Sequence, residues 1–318
     1  MKSMKLLLVL LLIASASKAQ ISAKLMRDID LSETQITFVY GGDIWLAPKA
    51  GGQALQLTNS PGEESYPKFS PDGTEIAFTA SYNGNQDVYV MPTSGGIPAR
   101  ITYASYGDRM VDWHPDGEQI LFASRREAGI PRVNQFFLVG KKGGFPEKMP
   151  VPYGELASYS PDGKKLAYIT KITENYPFKR YRGGLTSDVI IFDLENNKAE
   201  NITNNLANDG RPAWAGDKIY FLSDQGENMR RNIWSYDTKS KQSTQLTNFE
   251  DFDIAYLAAG TDDLVFESGG DLYLMNLANG DYNKIAISVV SDLSVEIPKM
   301  KNVGDNIQNY SASPGGRE

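Results

Sequence analysis

Apolar residues in this chain come in short bursts broken by Gly, Pro and polar clusters, and the bursts return at a fixed interval. One unit runs Phe69-Ser70-Pro71-Asp72-Gly73, then Ile76-Ala77-Phe78, then Asp87-Val88-Tyr89-Val90, then Gly95-Gly96, and closes on Ile101-Thr102. Short bursts rich in β-branched and aromatic residues between turn signals predict strands, not helices. Four strands fit this unit: A at Tyr66–Phe69, B at Glu75–Thr79, C at Asp87–Met91 and D at Pro98–Thr102. In the A–B link, Pro presets φ for the first central turn residue, Asp suits the second, and Gly takes the left-handed position after it.

The unit recurs. His114-Pro115-Asp116-Gly117 and Ser160-Pro161-Asp162-Gly163 put the turn prolines 44 and 46 positions apart, and the closing Thr returns at Thr58, Thr102, Thr203 and Thr247. The same frame finds copies from about Lys24 to Thr58, Tyr66 to Thr102, Val111 to Pro150, Ala157 to Thr203, Pro212 to Thr247 and Tyr256 to Ile287. A repeat of this length built from short strands predicts an all-β fold, a six-bladed β-propeller of four-stranded antiparallel blades over residues 20–287. Because each copy holds its own four strands, the ring is expected to close by packing blade 1 on blade 6, with no strand exchanged between the termini. Residues 288–318 read as a linker followed by Ser313-Pro314-Gly315-Gly316, the start of a further A–B turn. That fragment predicts a chain that is the front part of something longer.

Composition changes the picture at the N-terminus. Lys2 and Lys5 precede the apolar run Leu6–Ile13, and Ser17 and Ala19 stand at the −3 and −1 positions of a cut before Gln20. Residues 1–19 therefore predict a signal peptide, with the rest exported to the periplasm and no membrane span. Removing that segment removes three of the 32 Lys and Arg, leaving 29 against 39 acidic residues, a formal charge of −10. So acidic a balance argues against nucleic acid as a partner. Zero Cys excludes disulfides and thiolate chemistry.

Several stretches together carry a resemblance. Val39-Tyr40-Gly41-Gly42-Asp43-Ile44-Trp45, Lys179-Arg180-Tyr181-Arg182-Gly183-Gly184, Ile219-Tyr220-Phe221-Leu222-Ser223-Asp224 and Asn248-Phe249-Glu250-Asp251-Phe252-Asp253 resemble the N-terminal propeller of tricorn-type serine proteases. The Ser-Pro-Asp-Gly turn is shared with TolB-like and prolyl-oligopeptidase propellers; the Lys-Arg-Tyr-Arg-Gly-Gly stretch is more specific. The resemblance implies a second propeller and a serine-protease core elsewhere, oligopeptide substrates, large homo-oligomers, and a cytoplasmic location in some members. It implies no catalytic residue here, because those belong to the core.

The residues themselves agree that hydrolytic triad chemistry is absent. There is no Gly-x-Ser-x-Gly elbow, and the single histidine, His114, occupies the turn slot of Ser70 and Ser160. Asp72, Asp116 and Asp162 hold one repeat position on separate blades, so turn formation explains them better than metal binding. No cofactor is implied.

The arginines are more telling. In a four-stranded blade the B–C and D–A links share one face. Arg125, Arg126, Arg132, Arg180, Arg182, Arg230 and Arg231 fall in B–C loops, and Arg109 and Arg211 in D–A loops, so nine of the twelve share that face. Arg offers carboxylates a planar bidentate fork. The fourth B–C loop, Thr170 to Ser187, is the longest and adds Tyr176, Phe178, Lys179 and Tyr181. Two readings follow: a face that docks oligopeptide carboxylates or the protease core through Arg109, Arg125, Arg126, Lys179, Arg180, Arg182, Arg230 and Arg231, or local ion pairs with Asp108, Glu127, Glu174, Asp209, Asp224 and Glu227. The resemblance adds that basic residues anchor a peptide's carboxyl end. Gly107-Asp108-Arg109 matches that place best, with Asp108 where a second basic residue is expected. The leading functional expectation is the non-catalytic part of an exported tricorn-like protease. The alternatives are a stand-alone TolB-like binding propeller and, behind both, a metal-dependent hydrolase using the channel.

Overall fold

The structure is a computed structural model that describes residues 21–129, 133–172 and 179–290, with a few isolated positions after 299. The signal-peptide segment 1–19, Arg132, Glu174, Tyr176 and Phe178 lie outside the described residues, as do Ser313 and Gly316 of the last turn. Every regular element among the described residues is a strand.

Six four-stranded antiparallel sheets follow one another along the chain. Their A strands are Arg27–Leu31, Glu64–Phe69, Asp108–Trp113, Leu156–Tyr159, Asp209–Ala215 and Ile254–Ala259. Each A strand packs on the A strands of both neighbouring blades, and the last meets the first, so the A strands form a closed inner ring. The B strands carry the core. Ile36, Phe38, Ile76, Phe78, Ile120, Phe122, Ile219, Phe221, Leu264 and Phe266 are all fully buried. Apolar side chains gather into six clusters, one at each blade junction; Val88, Val90 and Ile101 of blade 2, for example, meet Met110, Trp113 and Phe122 of blade 3. A two-faced sheet wedged between neighbours explains why the B strands read as continuous apolar runs.

The repeated residues have repeated jobs. The Oγ1 of Thr58, Thr102, Thr203 and Thr247 accepts the C-strand N–H of Ile44, Val88, Val189 and Ile233 at 2.8, 3.0, 2.9 and 2.9 Å. In the A–B turns, Ser70 Oγ donates to Asp72 at 2.6 Å and accepts from Glu75 N–H at 2.9 Å, and Ser160 repeats the pattern with Asp162 and Lys165. His114 substitutes in that slot, its Nδ1 accepting Asp116 N–H at 3.3 Å. The hydroxyl and N–H donors around Asp72 hold its carboxyl down at about 2.

Two features depart from the sequence reading. First, five A strands carry a bulge, between Arg27 and Asp30, Ser65 and Lys68, Met110 and Asp112, Gly210 and Ala213, and Ile254 and Tyr256. The strands run on past the bulge, so Arg109 and Arg211 sit within A strands and not in D–A loops. Second, ring closure involves more than packing. Ile21–Ser22 pairs antiparallel with Ile287–Val289, which pairs in parallel with Gly52–Gln53 of blade 1. This three-stranded latch lies outside the blades and ties the two ends of the ring together.

Candidate docking face and central channel

The sequence-derived cations separate into two sectors of the loop face. In the first, spanning the B–C loops of blades 4 and 5, three converge on Asp253. Lys179 Nζ lies 3.5 Å from Asp253 Oδ2, Arg180 Nη2 donates to Oδ1 at 3.2 Å, and Arg231 donates its backbone N–H to Oδ1 at 3.1 Å. Burial alone would raise the Asp253 carboxyl, but the Arg231 N–H and the charges of Arg231, Arg180 and Lys179 hold it below its ordinary value. Two side-chain cations and one backbone donor thus share a single carboxylate. Arg182 is engaged separately, with its two terminal nitrogens 3.0 and 2.9 Å from the two oxygens of Asp224. Arg230 Nε donates to Glu250 C=O at 3.0 Å. The long fourth loop is thereby bound to the two blades that follow it.

The second sector belongs to blade 3. Arg126 Nη2 donates to the buried Asp108 at 2.6 Å and its guanidinium stacks on Phe122 and Phe137. Arg125 is exposed and has no side-chain partner among the described residues. Arg109 reaches into the ring, its Nη2 donating to Glu155 Oε2 and Glu155 C=O, each at 2.6 Å, with Tyr66 stacked beside it. Among the described residues, no hydrogen bond or ion pair joins the cations of the two sectors.

Sequence reasoning missed the residues that line the channel. At its centre Lys68 Nζ donates to Asp30 at 2.9 Å, and Asp30 also accepts Phe69 N–H of the next blade at 2.9 Å. Asp112 does the same two junctions on, accepting Trp113 N–H and the neighbouring blade's Tyr159 N–H, each at 3.0 Å. Ser158 Oγ then accepts Trp214 N–H of blade 5 at 3.0 Å. These clasps occupy one repeat position of the A strand, and the only hint in the sequence is a polar residue inside an apolar strand. Burial pushes Asp112 up to about 6, against the pull of Lys68. Within the ring, Asp28, Tyr66, Val111, Leu156, Arg211 and Leu257 line a void of about 40 Å³. On the A–B face the channel opens into a funnel of about 700 Å³. No group of three or more His, Cys, Asp or Glu among the described residues is placed to hold a metal.

The family model of the tricorn protease N-terminal beta propeller domain matches residues 23–281. This chain belongs to that family. Among its relatives, the tricorn protease homolog of Saccharolobus solfataricus is 26% identical over 276 residues, covering 86% of this chain and 26% of the relative. Tricorn protease homolog 1 of Streptomyces coelicolor is 27% identical over 255 residues, covering 77% and 23%. The chain spans about a quarter of the length of these curated relatives. Among solved structures, the crystal structure of the tricorn protease aligns with a TM-score of 0.71 at 22% identity, over 88% of this chain and 27% of that one. A putative TolB from Agrobacterium tumefaciens aligns at 0.53 and 18% identity, over 82% and 80%. At those identities both likenesses speak for the propeller fold alone.

Proposed function

We propose that this propeller is the non-catalytic docking module of an exported tricorn-type serine peptidase. It orients oligopeptide carboxylates, or the protease core that acts on them, against the Lys179–Arg182 loop. The observation that carries the reading is the convergence of Lys179, Arg180 and Arg231 on Asp253, in a chain that belongs to the tricorn N-terminal propeller family. Docking is favoured over passage through the ring because the Asp30–Lys68 and Arg109–Glu155 pairs occupy its interior. Hydrolysis then belongs to a separate core, and residues 1–19 direct export.

The test uses the protease polypeptide or assembly that contains this propeller. Arg180→Ala with Arg182→Ala should lower kcat/KM for oligopeptides by about tenfold, a loss of about 1.4 kcal/mol of transition-state stabilisation. Thermal midpoints measured alongside separate lost docking from lost fold. Unchanged kinetics with unchanged assembly would refute the proposal. Co-purification with an unrelated periplasmic protein, in place of a protease core, would favour the stand-alone binding propeller.

A further inference from the structure

The wedge between blades 4 and 5 opens on the A–B face, opposite the Lys179–Arg182 loop, as a cleft of about 580 Å³. It runs outward from Trp214, which also lines the funnel, to Glu200 and Lys241 at the rim. Two departures from the repeat leave it open. In blades 1 and 3 the C–D turn is a Gly-Gly pair lying against the blade before it. A Cβ on Gly51 would stand 2.7 Å from Ala286 C=O, and one on Gly143 would stand 3.6 Å from Ile101 C=O. Blade 5 has no glycine in that turn. Asp237 holds it instead, accepting Lys239 and Ser240 N–H at 3.0 and 2.8 Å, and the turn reaches blade 4 through Lys241 Nζ on Glu200 at 2.7 Å. The second departure is Trp214. Its counterpart in blade 3, Trp113, is 3% exposed and sends its indole N–H back to Lys68 C=O of blade 2 at 2.9 Å, plugging that junction. Trp214 pairs with Ile219 as Trp113 pairs with Ile120, but its indole N–H turns to Gly216 C=O of its own blade at 3.1 Å. Its ring is left half-buried on the wall of the cleft.

The cleft also carries a polar group with nothing to bond to. Tyr236 lines it and is 6% exposed, yet its hydroxyl has no hydrogen-bond partner among the described residues. Ala47, Met91, Val139, Phe192 and Met275 fill the same repeat position with hydrocarbon or thioether, so packing alone does not call for that hydroxyl. A polar group at so buried a place takes its partner from whatever fills the cleft. Charge there is balanced. The acids Asp162, Glu200 and Asp217 face Lys165 and Lys241, with Lys239 just outside and 2.5 Å from Asp217. Neither an anion nor a cation gains net attraction from such a lining. A neutral molecule that both donates and accepts hydrogen bonds can use the phenol, the ammonium groups and the carboxylates together. The face of the Trp214 ring is electron-rich and favours polarised C–H bonds laid against it. A polyhydroxylated ring meets both demands, and a space of about 580 Å³ lies within the range of small-ligand sites.

We propose that the cleft between blades 4 and 5 binds a saccharide of one or two rings. The sugar lays its C–H face on the Trp214 indole, and its hydroxyls bond to Tyr236, Lys165 and the Glu200–Lys241 pair. The site lies on the face opposite the arginine-bearing loops and is independent of docking there.

The test titrates the purified protein with glucose, N-acetylglucosamine and their β-1,4-linked disaccharides, cellobiose and diacetylchitobiose. Saturation-transfer NMR, which does not need Trp214 as a reporter, follows binding in the parent and in variants. At least one of the four should bind with a Kd of about 1 mM or tighter. Trp214→Ala should weaken that sugar by about tenfold. Tyr236→Phe keeps the ring and its packing; it should weaken binding by about threefold to tenfold and serves if the first variant does not fold. No binding of any of the four up to about 10 mM, or parental affinity in either variant when folded, would overturn the proposal. Tighter binding of indole-3-acetate or of benzyltrimethylammonium than of every sugar would overturn it too, by making the cleft an anion or a cation site.

Discussion

Glu64 allows a sharp test of how burial controls this ring. It is 1% exposed at the junction of blades 1 and 2, with the Thr58 hydroxyl donating to it at 3.0 Å. Desolvation pushes its carboxyl from an ordinary 4.5 to about 7, against the pull of the Tyr82 and Thr58 hydroxyls and with a smaller push from Asp43. A group that holds its proton more tightly folded than unfolded adds stability below its unfolded pKa. That contribution is lost as pH rises through the folded value. The window here runs from about 4.5 to about 7, and two and a half pH units at 1.36 kcal/mol each come to about 3 kcal/mol. Glutamine keeps the shape and an oxygen for Thr58, but does not ionise. Glu64→Gln should therefore match the parent near pH 4 and exceed its stability by up to about 3 kcal/mol near pH 8. Urea unfolding followed by tryptophan fluorescence across that range gives the difference curve directly. A variant less stable than the parent near pH 8, or a difference flat across the window, would refute the reasoning.

Other expectations rest on single contacts. Asp112→Ala removes the acceptor shared by Trp113 and Tyr159 N–H; it should cost about 2–4 kcal/mol in urea unfolding. Arg126→Ala leaves Asp108, which is 0% exposed, without its counter-charge. It should cost about 3–5 kcal/mol, with part recovered when Asp108→Asn is added. Thr203→Val strips the acceptor from Val189 N–H and should cost about 1–2 kcal/mol, read also as faster exchange of that amide. Gly163→Ala places a Cβ 2.9 Å from His114 Nε2 on backbone at φ +72. A loss of about 1–2 kcal/mol is expected, smaller when His114→Ser is combined with it.

How much of this was legible depended on which forces act locally. The blades were legible because Pro71, Asp72 and Gly73 fix a turn with their own side chains and backbone, whatever lies around them. In blades 2, 3, 5 and 6, where a bulge intervenes, the strand starts were read late. Two-residue alternation breaks between Met110 and Asp112 and between Gly210 and Ala213, and the strands were picked up only from within the break, at Val111 and Pro212. That is how Arg109 and Arg211 came to be assigned to loops. Blade 4 has no bulge, and its A strand was placed within one residue, Ala157 against Leu156. The ion-pair partners were half legible: Asp108 and Asp224 were named, while Asp253, Glu155 and the Asp30–Lys68 clasp were not. Those contacts bridge blades some forty positions or more apart, and no local pattern encodes such a distance. The latch was invisible for a related reason, since Ile21–Ser22 and Gly52–Gln53 are too short to show any period.

The latch also says something about how the ring is made. Each blade is a run of hairpins between near neighbours in sequence, whereas Ile21 must find Val289 across nearly the whole chain. For a loop of that length the chain-entropy cost of meeting is about 5 kcal/mol. A handful of hydrogen bonds such as Ala23 N–H to Ile287 C=O, at about 1 kcal/mol net each, barely offsets it. The packing of Leu31, Phe38 and Trp45 against Val265 and Leu272 must supply the rest. The seam between first and last blades is thus the contact that demands the longest chain closure, and it rests on side-chain packing more than on the hydrogen bonds of the latch.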